Sequence, residues 1–351
     1  MSQVFPHSFS RRFIHQPLRF LAATLLISVF LSSHVHGSQD PRVALQVKAV
    51  SILASVRDKH GKVVANLTKD DFAVEEDGRP QTINYFAQGN TAPLRLGLLV
   101  DTSLSQSNLL DQERTASYSF LDHLLRAEKD LAFVIKFDRE VELLRDFTAD
   151  RGKLQSSLGL LETSEFRPSS ASGGHSGGFG PGSGTLLYDA IFLAADELMS
   201  KQEGRKALII LSDGVDRGSK ETVDEAIERA QRSDTLIYSV LFSDEESFSE
   251  GHKNRGGPYG APKPRNASRE SPDGKSILEE ISEKTGGRFF EVSKKEPIEK
   301  IYSEIAEELS AQYSLGYTPD KGAEPGYHKI HVATRQKDLR VQARQGYYGG
   351  P

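Results

Sequence analysis

The sequence predicts an α/β protein: a doubly wound, mostly parallel sheet flanked by a small β-domain built from the N- and C-terminal segments. Three observations carry this reading. Between Leu94 and Gln312, apolar runs alternate with stretches of helical spacing, the pattern of a sheet with helices on both faces. The flanks, 43–90 and 313–347, are β-rich and partly alternate with a period of two. Each flank is too small to stand alone as a sheet, so the two are expected to pack together.

Taken in order, VALQVKAVSILASV (43–56) reads as a strand, and FAVEEDGRPQTINYF as a hairpin turning at Asp77-Gly78. RLGLLVD (95–101) is a buried strand, and 105–126 carries helical spacing. LAFVIKFD (131–138) and VELLRDF (141–147) are strands, followed by a helix over 150–161. TLLYDAIFLAADELMS (185–200) is a helix with Leu186, Ala190, Ala194 and Leu198 on or near one face. KALIILSD (206–213) and TLIYSVLF (235–242) are buried strands separated by a helix over 219–232. A helix at 276–287 stops at glycine, RFFEV (288–292) is a strand, and PIEKIYSEIAEELSAQ (297–312) is an amphipathic helix. YSLGYT, YHKIHVAT and LRVQARQGYY return to β character, and Tyr313, Tyr317, Tyr327, Tyr347 and Tyr348 are expected to pack in the core and rim of the β-domain. The Gly/Ser-rich segment 167–184 and the aperiodic 243–275 read as mobile surface loops.

The first residues follow a different rule. Arg11, Arg12 and Arg19 stand without an acid before the largely apolar run Phe20–Leu31, and a polar segment follows. This is the order of a secretory signal, with cleavage expected after Gly37. As a helix the run spans only ~18 Å, short of a bilayer core. No later stretch is long and apolar enough to span a membrane, so the mature protein is expected in the periplasm or outside the cell. The expected organisation is 1–37 signal, 38–91 N-terminal β-segment, 92–312 α/β domain, and 313–351 C-terminal β-segment.

The 351 residues include no cysteine, which excludes disulfides, thiol catalysis and Cys-ligated metals. The net charge of −5 becomes −8 once the three signal arginines are removed, and this acidity argues against a nucleic-acid partner. No G-x-S-x-G, H-E-x-x-H or P-loop is present.

Ligands of open parallel sheets bind at the carboxyl ends of strands. Here Asp101-Thr102-Ser103-Leu104-Ser105 follows one buried strand, Asp213 ends another, and Thr185 closes the Gly-rich loop. Each alone reads as a helix cap or a turn. Together, Asp101, Ser103, Ser105, Thr185 and Asp213 supply two carboxylates and three hydroxyls with no nitrogen or sulfur, a set suited to Mg²⁺ or Mn²⁺.

This five-point pattern resembles the metal-ion-dependent adhesion site (MIDAS) of von Willebrand factor type A (VWA) domains, over roughly residues 92–312. The flanks resemble those of the exported, VWA-related proteins of acidobacteria: LTKDDFAVEEDGRPQTI before the domain and QYSLGYTPD…LRVQARQGYY after it. The resemblance implies a Rossmann-like sheet of order 3-2-1-4-5-6 with the metal on its upper edge. It implies metal contacts from Ser103, Ser105 and Thr185, with Asp101 and Asp213 often acting through water. A partner protein's Asp or Glu carboxylate would complete the shell. In such domains the last helix, here 297–312, can shift when the metal site changes. The expected function is metal-dependent protein binding, in adhesion or as an envelope scaffold, and not catalysis. Two alternatives remain: a phosphotransferase of haloacid-dehalogenase type, although Ser103 stands where that chemistry needs a second aspartate, and a structural VWA domain without metal.

Overall fold

The computed structural model describes residues 49–89, 91–103, 110–162, 184–242, 273–319 and 324–350. The expected signal, Ser105 and most of the two loop segments lie outside the described residues. Among the described residues no helix is long and apolar enough to cross a membrane.

Short strands open the described residues: β1 (Val50–Asp58), β2 (Phe72–Glu76), β3 (Arg79–Gln81) and β4 (Ile83–Gln88). The alternating region supplies β5 (Leu94–Asp101), α1 (Leu110–Leu124), β6 (Leu131–Phe137), β7 (Val141–Thr148), α2 (Arg151–Leu158) and α3 (Leu187–Phe192). It continues with β8 (Arg205–Ser212), α4 (Val223–Arg232), β9 (Thr235–Leu241), α5 (Gly274–Thr285), β10 (Phe289–Glu291) and α6 (Ile298–Ser310). The chain closes with β11 (Tyr313–Tyr317), β12 (Gly326–Thr334), β13 (Leu339–Ala343) and β14 (Gly346–Gly349).

The central sheet has the order β10-β9-β8-β5-β6-β7, which counted along the chain from β5 is 3-2-1-4-5-6. All its pairings are parallel except β6 with β7. The turn between those two strands holds only residues 138–140. That is too short for a crossover, so β7 returns antiparallel at the edge.

β5 is buried on both faces, which explains its continuous apolar run. Leu96, Leu98 and Val100 pack with α1, α2 and α6, while Leu99 packs with α3, α4 and α5. The helix after Thr185 differs from the expected stripe. Its buried residues are Leu187, Ala190, Ile191, Ala194, Ala195 and Met199, whereas Leu186 and Leu198 are half-buried. Leu186 precedes the helix, and Leu193–Leu198 winds in wider π-helical turns that rephase the buried face.

The flanks pair strand to strand in two antiparallel sheets, β13-β1-β11-β4 and β14-β12-β2-β3. Ile52, Val56, Phe72, Val74, Leu315, Val332 and Tyr347 share their core. Phe72 and Tyr313 pack with ring centroids 5.1 Å apart. The Tyr313 hydroxyl donates to Val64 O at 2.8 Å and accepts from Leu67 N at 3.0 Å. Asp77 and Gly78 both hold positive φ, 49° and 75°, the left-handed pair that suits a tight hairpin between right-twisted strands.

These strands dock on the α/β unit through polar contacts. Arg344, just past β13, donates to Gln231 O (3.1 Å) and Asp234 Oδ1 (2.5 Å) of that unit and to Ser51 O (2.5 Å) of β1. Gln342 Nε2 donates to Gly287 O at 2.7 Å.

Candidate metal centre

Two neighbouring strands of the sheet end at one edge, and a third stretch of chain is tied beside them. β5 ends on Asp101, β8 ends one residue before Asp213, and the extended stretch before α3 carries Thr185. Asp101 and Thr102 are fully buried and Thr185 nearly so, while Ser103 and Asp213 are half-buried.

The backbone draws these stretches together. Thr102 N donates to Phe137 O (3.0 Å) and Thr102 Oγ1 to Asp138 Oδ2 (2.9 Å). Leu186 N then donates to Asp138 O (2.8 Å), which ties the Thr185 stretch to the end of β6. On its other side Thr185 bridges Arg217: Arg217 N donates to Thr185 O (2.8 Å) and Thr185 N to Arg217 O (3.3 Å). Arg217 lies in the loop that follows Asp213, so Thr185 is held between the ends of β6 and β8.

Asp101 is fixed by donors on both oxygens. Oδ1 accepts from Ser103 N at 2.9 Å, and Oδ2 from Ser212 Oγ at 2.7 Å. Burial pushes the Asp101 carboxyl up to about 6; the Ser103 and Ser212 donors oppose that rise, and the Asp213 charge adds to it. Asp213 Oδ1 accepts from Val215 N at 2.9 Å and so shapes its own turn. The next residue, Gly214, has φ +77° and lies so close to Gly274 that a Cβ would sit 2.2 Å from Gly274 O. Only glycine permits this approach, which seats the Asp213 turn on the start of α5.

Four residues outside the expected set join the site. Ser212 and Asp138 orient Asp101 and Thr102 as described. Asp216 Oδ2 accepts from Leu187 N (3.0 Å) and Ser219 Oγ (2.6 Å), which anchors the start of α3. The fourth is Glu113 on α1. It is buried, neither carboxylate oxygen has a hydrogen-bond partner among the described residues, and burial with the Asp101 charge pushes it up to about 8. Its signal in the sequence is position: Glu113, Ala116, Ser117 and Phe120 follow the spacing of the helix's buried face, where a lone acid is out of place.

The described residues suit a hard divalent cation. Asp101 and Asp213 are close enough to repel, Glu113 adds a third carboxyl group, and Ser103 and Thr185 add neutral oxygen. All these donors are oxygen, the set that Mg²⁺ and Mn²⁺ prefer.

No protein-family model matches the chain. An uncharacterised protein of Borreliella burgdorferi is 31% identical over 159 residues, which is 45% of this chain. The matched stretch covers only 40% of that relative's length. Among solved structures, a von Willebrand factor type A protein from Catenulispora acidiphila is 10% identical and has a TM-score of 0.44, with 79% of this chain and 72% of that chain covered. An aerotolerance-related membrane protein from Bacteroides fragilis is 18% identical, with 62% of this chain and 98% of that chain covered, at a TM-score of 0.41. Proximal thread matrix protein 1 from the mussel byssus, solved with a zinc-occupied MIDAS motif, is 11% identical, with 67% and 49% covered, at a TM-score of 0.45. VWA-domain proteins thus stand among the structural neighbours. The mixed α/β fold, with a mostly parallel central sheet and flanking antiparallel sheets, rests on the strand order above.

Proposed function

We propose that the protein is an exported, non-enzymatic binding protein whose α/β unit is a doubly wound VWA domain with a MIDAS. The site would hold Mg²⁺ or Mn²⁺ through Asp101, Ser103, Ser105, Thr185 and Asp213, with Ser105 lying outside the described residues. One observation carries the reading. Asp101 and Asp213 stand at the ends of neighbouring strands, backbone bonds tie the Thr185 stretch to the ends of β6 and β8, and buried Glu113 adds a carboxyl group without a hydrogen-bond partner among the described residues. A divalent ion there supplies positive charge that neutral hydroxyls do not quench, so it attracts the carboxylate of a partner's Asp or Glu. Export is supported by the basic-then-apolar order of the first residues.

Calorimetry of the full chain with Mg²⁺, set against Asp101→Ala, tests the metal. The wild type is expected to release heat that the variant lacks, because one carboxylate then faces a divalent charge. Equal heats would overturn the reading. Adhesion and scaffolding both follow from the same chemistry, and a crosslinking pull-down from the native envelope, with and without EDTA, separates a metal-dependent partner from none.

A further inference from the structure

A second cluster of metal-ligand type lies in the β-domain, away from the sheet edge just described. Glu76 ends β2, Asp77 opens the hairpin turn, and His328 lies on β12; their ligand atoms all fall within 4.8 Å of one another. His328 Nδ1 stands 2.9 Å from Asp77 Oδ2 and 3.6 Å from Glu76 Oε1. Donors bound to one tetrahedral ion at its usual bond lengths stand about 3.3–3.5 Å apart, so small shifts would bring all three onto a single centre.

Two features point to a ligand beyond the acids themselves. Glu76 is 8% exposed and turns Oε1 toward the imidazole, while among the described residues its Oε2 is buried without a hydrogen-bond partner. The imidazole is also held as a metal-binding histidine is held. Its Nε2 faces Glu324 O at 3.0 Å, and its ring stacks on Tyr347 with centroids 5.2 Å apart. A hydrogen bond from Nε2–H to the Glu324 carbonyl turns Nδ1 toward the acids, where it donates to Asp77 Oδ2; an ion would take the place of that proton. The supporting shell continues outward. Tyr347 OH donates to Glu76 Oε1 at 3.3 Å, and Lys329 N donates to Asp77 Oδ1 at 2.9 Å. With neutral imidazole, two carboxylates balance one divalent charge. A nitrogen among oxygens selects a borderline ion such as Zn²⁺ over Mg²⁺.

We propose that Glu76, Asp77 and His328 form a second metal site, for a Zn²⁺-class ion, that clips the N-terminal hairpin to the C-terminal strand β12. The site is independent of the one at Asp101.

The test uses the full chain carrying Asp101→Ala, which removes a ligand of the other site, stripped with EDTA and dialysed against Zn²⁺. This protein is expected to retain one equivalent of Zn²⁺ and to melt at a higher temperature with the ion than without. Adding His328→Gln is expected to weaken Zn²⁺ binding by at least about a hundredfold and to abolish the melting shift. Asp77→Asn, which keeps an oxygen for Lys329 N, is expected to weaken binding while leaving the melting temperature in EDTA close to that of its parent. The proposal is overturned if the Asp101→Ala protein binds no Zn²⁺. It is equally overturned if His328→Gln and Asp77→Asn bind Zn²⁺ as tightly as that parent. A loss of Mg²⁺ heat at Asp101 bears only on the first site.

Discussion

Arg57 of the first strand and Glu308 of the last long helix form an ion pair although 251 positions separate them. Arg288 joins from the start of β10, with Nη1 2.6 Å from the same Glu308 oxygen. The Glu308 side chain is only 1% exposed, so two cations share one buried carboxylate at the junction of the β-strands and the α/β unit. This is also the helix expected to respond to the metal site, and it runs directly into β11.

Replacing Glu308 with alanine leaves two guanidinium groups facing each other with their shared carboxylate gone. The variant is expected to lose about 3 kcal/mol of stability, read as a lower urea midpoint. A loss under about 1 kcal/mol would show that the pair contributes little.

Glu113 predicts an unusual pH slope. Its folded-state value of about 8 lies above the ordinary 4.5, so the folded state keeps a proton that the unfolded state releases. Its contribution therefore falls as pH rises from the unfolded value to the folded one. In EDTA, Glu113→Gln is expected to gain about 2–3 kcal/mol on the wild type between pH 5 and pH 7.5. Parallel stability curves for the two proteins would contradict this.

Asp130 has the opposite sign. Burial would raise its carboxyl, but the Arg126 guanidinium and the N–H groups of Leu94 and Arg126 outweigh that and hold it below the usual range. Its oxygens accept from Leu94 N at 2.7 Å and from Arg126 Nε and Nη2 at 2.7 Å, fixing the start of β5 to the turn after α1. The stabilisation is complete above the unfolded-state pKa and is lost as pH falls through the lowered folded value. Asp130→Ala is expected to cost about 3 kcal/mol at pH 7, with the gap from wild type narrowing below about pH 4. Urea titrations at pH 7 and pH 3 measure both.

Gly214→Ala tests the Asp213 turn. A methyl group there would meet Gly274 O at 2.2 Å on a backbone with φ +77°. The variant is expected to lose at least about 2 kcal/mol and, with the turn displaced, to bind Mg²⁺ more weakly than wild type. Unchanged Mg²⁺ heats would show that the turn does not position Asp213 for the ion.

Much of this architecture was legible in residue order. The apolar runs at 95–101 and 206–213 marked strands buried on both faces, and Asp77-Gly78 marked a hairpin. The shortness of each flank required the two to pair. Packing of the tyrosines was legible in part: Tyr313, Tyr317 and Tyr347 are buried, whereas Tyr327 is exposed. Regular spacing places Leu186, Ala190, Ala194 and Leu198 on or near one face of the helix after Thr185, but its π-helical turns break that spacing. An acid on an amphipathic helix ordinarily faces water, so the spacing that Glu113 shares with Ala116 and Phe120 gains its meaning only from the packing of α1 beneath Asp101. The Glu76–Asp77–His328 cluster joins residues from opposite flanks, and neither flank signals it alone.

The pairing of β1 with β11 and β13 also governs when the protein can fold. During synthesis the opening strands emerge long before their neighbours exist, and the whole α/β unit must pass between them. Such distant contacts slow folding and leave strand edges bare in the meantime. A chain cut short near Gln312 would keep the central sheet complete, yet carry β1, β2 and β4 without their C-terminal partners, as sticky edges open to any neighbouring chain.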